Sequence, residues 1–147
     1  MTTAQSKIAT TTRFLLGGMF LFSGLNGLLH FAPMPPMPPA AGAFLGAMVA
    51  TGYLLPLLKI TEIAAAALLL SGRYVPLALA VLAPVLVNVV AFHAALAPQG
   101  LAVPLVLLAA EIYLAWSNRE AFAPMLRTRV ASGSRELTEE GKLATAS

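Results

Sequence analysis

Seven polar or ionisable residues sit inside otherwise apolar stretches of this chain: Asn26, His30, Lys59, Glu62, Asn88, His93 and Glu111. An ionisable group at bilayer depth costs at least about 2.5–3.5 kcal/mol on insertion scales, so such groups face a bundle interior or a wet cavity and mark a binding site or a proton route. Asn26 and His30, four apart, share one face of a helix, as do Lys59 and Glu62 at three apart. Glu62 is then a proton acceptor and Lys59 a positive anchor for an anionic or carbonyl-bearing ligand. The same two residues also fit a plainer reading, an ion pair that neutralises two charges within the bilayer. Asn88 and His93 are five apart, roughly 140° round an ideal helix, and share one cavity only where the helix is kinked or unwound. Otherwise one of them faces a neighbouring subunit. Glu111, when protonated, can hydrogen-bond across a bundle.

The chemistry open to this set is limited. Cysteine is absent, which excludes a disulfide relay, a thiolate nucleophile, an iron–sulfur cluster and covalently attached c-type haem. A quinone head group requires donors to two carbonyls and a proton source, and His, Lys, Asn and Glu supply both beneath an apolar tunnel. His30 and His93 near one depth on different helices would also suit bis-imidazole haem, a less specific match without a surrounding ligand cluster. Met34, Met37 and Met48 read as packing residues rather than copper ligands, and no metal site is expected.

The elements that must position these groups follow from composition. The chain is 147 residues long, 59% hydrophobic and only 10% charged, against roughly 25% charge in soluble proteins. No charged side chain occurs between Arg13 and Lys59 or between Arg73 and Glu111. The expected class is an all-α integral membrane protein, a four-helix bundle with a short extra helix between spans one and two. Span one covers residues 13–32, preceded by a cytoplasmic segment 1–12 and closed by Pro33-Met34-Pro35-Pro36-Met37-Pro38-Pro39, a stiff extended connector. Within the outer-face segment 33–52, the apolar run 40–52 is too short to span and carries Gly42/Gly46 and Ala43/Ala47 on a small-residue face. Spans two, three and four cover 53–71, 76–97 and 101–117, with Pro84 predicting a kink in the third. The tail 118–147 is charged and rich in Ser, Thr and Gly, and reads as a short interfacial helix followed by disordered chain.

Lys7, Arg13, Arg73, Arg119, Arg127 and Arg129 fall at segment ends, whereas the proline loop and the Pro98 turn carry no basic residue. By the positive-inside rule both termini and the Arg73 turn are cytoplasmic. The formal charge of +3 therefore reports topology and not a nucleic-acid partner. The first apolar run is too long for a signal-peptide core and holds Asn26 and His30, which makes it a retained span. Counting about 1.5 Å per residue from the outer ends places His30 and His93 roughly 3–8 Å deep, Asn26 and Lys59 about 9 Å, Glu62 and Asn88 about 13–14 Å and Glu111 about 15 Å. The expectation is a polar column in the outer half of the bundle. A repeat is also visible: Asn26/His30 before Ala32-Pro33 matches Asn88/His93 before Ala97-Pro98, and Glu62-Ile63 before Ser71-Gly72-Arg73 matches Glu111-Ile112 before Ser117-Asn118-Arg119. Ordinary helix ends produce the same tripeptides, so a pseudo-two-fold axis and coincidence both stay open.

Lys59-Ile60-Thr61-Glu62-Ile63 leads through an apolar run to Leu69-Leu70-Ser71-Gly72-Arg73-Tyr74-Val75-Pro76, and Asn88-Val89-Val90-Ala91-Phe92-His93 precedes Ala97-Pro98-Gln99-Gly100. In this pattern the chain resembles the DoxX family of bacterial four-span membrane proteins over approximately residues 13–126. The resemblance implies a small inner-membrane protein associated with redox enzymes, including quinone-coupled sulfur oxidation. The expected function is an accessory subunit that binds a quinone or similar small lipophile and docks a membrane or redox partner, or a second copy of itself. Two rivals stand beside it: a small transporter or proton-conducting channel, and a purely structural subunit. Whether the chain is an enzyme is left open; if it is, it is a quinone-linked oxidoreductase subunit.

Overall fold

The computed structural model describes residues 3–33 and 36–126, and no strand occurs among them. Three helices are long and apolar enough to cross a membrane: α1 (Thr3–Leu29), through its part Gln5–Leu29, α3 (Leu54–Ser71) and α4 (Val75–Leu96). Two shorter apolar helices accompany them, α2 (Pro39–Ala50) and α5 (Ala102–Ser117). A 3₁₀ turn, Pro98–Gly100, joins α4 to α5, and α6 (Arg119–Phe122) runs into a second 3₁₀ turn, Ala123–Leu126. Helix α1 packs on α3 and α5, and α4 packs on the same two, while α2 lies against α3 and α4.

Each boundary has a local cause. Pro38, at φ −56° and ψ 149°, holds the polyproline conformation expected of the loop, and Pro39 then starts α2 where its missing amide would be unbonded anyway. Met34 and Pro35 of that loop lie outside the described residues. Gly72 at φ 72° closes α3 in the left-handed conformation and donates its N–H to the Leu69 carbonyl at 3.1 Å. Pro76 sits in the first turn of α4. Pro84 lies inside α4 without ending it and leaves the Ala80 carbonyl lacking its helical donor.

Two boundaries differ from the sequence expectation. Residues 3–12, read as a segment before the first span, form the opening turns of α1. Nothing in that stretch breaks a helix, and Thr10 returns its hydroxyl to the Ser6 carbonyl at 2.9 Å instead of competing with the backbone. The first helix also ends at Leu29, three residues before the expected limit. His30 takes φ 52°, and Asn26 Oδ1 accepts a 2.7 Å bond from Ala32 N–H that holds the chain as it turns away. Residues 127–147, the remainder of the tail read as a short helix followed by disordered chain, lie outside the described residues.

The core is a single apolar cluster. Leu16 and Phe20 of α1 meet Ala65, Ala66 and Leu69 of α3, Ala78, Leu79, Leu82 and Leu86 of α4, and Leu114 of α5. Large apolar side chains are also turned outward all around it, among them Phe14, Phe22, Leu57, Leu77, Val87, Val106 and Trp116. Helices apolar on both their inner and outer faces suit a lipid solvent and not water.

Candidate functional site

Helices α1 and α3 run antiparallel, as their contacts show from one end to the other. At the basic end Arg13 Nη1 donates to the carbonyls of Leu69 and, at 3.4 Å, Leu70. A cation there answers the last-turn carbonyls and the negative end of the α3 dipole. Further along, a Cβ on Gly17 would come within 3.0 Å of Leu70 Cγ; on Gly24 it would stand 2.6 Å from Ile63 Cγ1; on Gly27 it would stand 2.6 Å from Lys59 Cδ and Cε. These glycines let the helix backbones approach, as small residues do at membrane helix interfaces.

In the space left by Gly27 lies the aliphatic stem of Lys59. Its ammonium is 3.0 Å from both carboxylate oxygens of Glu62 and 3.1 Å from Ser23 Oγ. An ammonium has three donors, and this one directs them at three acceptors on two helices. Glu62 is 1% exposed, while the Lys59 side chain keeps 14% exposure. Isolated, either charge would be prohibitively costly in this setting; together they are compensated. Among the described residues it is the one salt bridge.

Among the described residues none of the other expected site residues hydrogen-bonds to Lys59 or Glu62. Asn26 is occupied by Ala32 N–H, and His30 is exposed at the end of α1. Asn88 is exposed, on the face of α4 away from Ala78, Leu82 and Leu86. Pro84 therefore does not turn Asn88 and His93 into one cavity. His93 is half-buried and donates Nδ1–H to the Val89 carbonyl at 2.8 Å, with Nε2 left towards Gly100, whose Cβ, were it present, would stand 3.2 Å away. The Phe92 ring meets it edge-on at 5.2 Å between centroids. Glu111 is 4% exposed, and among the described residues neither of its carboxyl oxygens has a hydrogen-bond partner.

Three residues of the site escaped the sequence reading: Ser23, Gly24 and Gly27. The signal was present in Gly17 and Gly24, seven apart, with Gly27 three further on, a small-residue stripe along the face of α1 that meets α3. Beside the pair of helices α1 and α5 runs an apolar groove of about 620 Å³, lined by Leu15, Leu16, Met19, Val103, Val106 and Leu107 among others. Among the described residues no group of three or more His, Asp or Glu side chains is arranged to hold a metal ion.

Compared with protein-family models, curated proteins and solved structures, the chain matches none of them.

Proposed function

We propose that the chain is a DoxX-like four-span protein of the bacterial inner membrane, both termini cytoplasmic, serving a redox enzyme as an accessory subunit that binds a quinone or similar small lipophile beside Lys59 and Glu62. The four spans are α1, α3, α4 and α5, each in contact with two of the others. The observation that carries the ligand reading is the ammonium held between Glu62 and Ser23 in an otherwise apolar crossing of two helices. Glu62 neutralises the charge, and Ser23 is a neutral acceptor that rotates away at small cost. A ligand carbonyl then takes the Ser23 position at Nζ and receives a charge-assisted hydrogen bond. The 14% exposure of Lys59 keeps that third donor within reach.

Quinone content of gently purified protein tests this directly. The proposal expects extractable quinone, lost in Lys59→Ala and retained in Ser23→Ala, because serine is the group displaced. Protein free of quinone, together with binding of added quinone that Lys59→Ala leaves unchanged, overturns it.

One observation favours a second reading. All three donors of Lys59 already have acceptors, which is what a structural pair fastening α1 to α3 requires. On that reading Lys59→Met/Glu62→Leu keeps the partner complex assembled and active, whereas the ligand reading expects activity to be lost with assembly intact.

A further inference from the structure

Glu62 and Glu111 are both buried carboxyls, and only one of them is answered. Glu62 has the Lys59 ammonium; Glu111 has neither a cation within ion-pair distance nor a hydrogen-bond donor for either oxygen among the described residues. It lies on the α5 face that also carries Pro104 and Leu114, all three buried. An ionised carboxylate in such surroundings carries a desolvation cost that nothing nearby repays, and the inexpensive state is the neutral acid. Glu111 does not itself line the apolar groove beside α1 and α5, but the groove passes within one helical turn of it. Leu107, one turn before Glu111, lines the apolar groove between α1 and α5, and residues four apart on a helix have Cβ atoms about 5–6 Å apart. The groove opens among outward-facing apolar side chains, including Leu15, Val103 and Val106, so its mouth faces lipid in a membrane-embedded chain.

We propose that Glu111 is a proton-binding site of this chain, a neutral carboxylic acid at rest that is reached from the bilayer through the α1/α5 groove. Its distinguishing chemistry is addition to a hydrophobic carbodiimide. The acid proton moves to one carbodiimide nitrogen while the carboxylate oxygen bonds to the central carbon, giving an O-acylisourea. Migration of the acyl group to nitrogen then leaves a stable N-acylurea. Nothing departs and no oxidant is needed. Glu62, whose two oxygens are both taken up by the Lys59 ammonium, is expected to stay unmodified.

The inference does not rest on the lipophile site, since the adduct forms whether or not quinone is found. The test treats full-length protein in lipid vesicles with dicyclohexylcarbodiimide and, separately, with a water-soluble carbodiimide, and maps the adduct by peptide mass. The expected result is one adduct, on Glu111, with the apolar reagent only, slowed when Val106→Trp fills the groove mouth. An infrared band of a neutral carboxylic acid, retained in Glu62→Gln and lost in Glu111→Gln, is the second readout and does not require access. Absence of that band from the wild type, or labelling of Glu62 in place of Glu111, overturns the proposal. Equal labelling by the water-soluble reagent overturns the bilayer route.

Discussion

Replacing Gly24 with alanine tests how closely α1 and α3 are packed. The added methyl would stand 2.6 Å from Ile63 Cγ1, 3.1 Å from the Lys59 carbonyl oxygen and 3.3 Å from Ile63 N, where carbon atoms in contact normally sit about 3.5–4.0 Å apart. Two of the three neighbours are backbone and cannot move alone, and a β-branched isoleucine on a helix has one strongly preferred χ1 well. The helices must separate, and overpacking of this kind costs about 1–3 kcal/mol. Against that, alanine gains about 0.8–1 kcal/mol over glycine in helix propensity. Gly18 is the control, because a Cβ there meets nothing within 4 Å and Gly18→Ala receives the propensity gain alone. Subtracting one variant from the other cancels that gain, so Gly24→Ala should be less stable than Gly18→Ala by about 1–3 kcal/mol. Reversible unfolding in mixed micelles, titrated with a denaturing detergent and followed by circular dichroism, measures both. Equal stability of the two variants would refute the close approach.

Lys59→Met should destabilise by about 3–5 kcal/mol because it strands Glu62 uncompensated, and the double variant Lys59→Met/Glu62→Leu should recover most of that loss in the same titration. Arg13→Ala removes a charged donor from the Leu69 and Leu70 carbonyls and should cost about 1.5–3 kcal/mol, read by unfolding midpoint, with Arg13→Lys retaining part of it. His30→Gly should stabilise by about 1–2 kcal/mol, since φ 52° strains a residue bearing a Cβ; loss of quinone binding in that variant would reveal a ligand role that exposure argues against.

How much of this was legible follows from which forces act locally. Helices α2 to α5 came within about two residues of their expected ends because proline and glycine punctuate the chain there, and their effects are covalent. The start of α1 was missed because charge and threonine at residues 7–12 signal a polar segment, whereas helix continuity needs only the absence of a breaker. Lys59 and Glu62 were visible as a pair because i,i+3 spacing on one helix is a sequence property. Which of Asn26, His30, Asn88 and His93 face that pair was not, because depth along a helix can be counted but azimuth depends on packing. Asn88 shows this most plainly: its depth was assigned, while the face it occupies is decided by Ala78, Leu82 and Leu86 turning inward. Ser23 became part of the site only through a neighbour 36 residues away.

Helix α5 has one more consequence. Its 16 residues span about 24 Å at 1.5 Å per residue, some 6 Å less than the roughly 30 Å of hydrocarbon in an average bilayer. Helix α1, with 27 residues, reaches about 40 Å. On the four-span reading proposed above, lipid beside α5 would therefore thin while lipid beside α1 need not, and the membrane around the protein would be lopsided. That thinning would fall on the side that holds Glu111 and shorten the distance from its carboxyl to either aqueous phase. The same mismatch would favour residence in thinner bilayers.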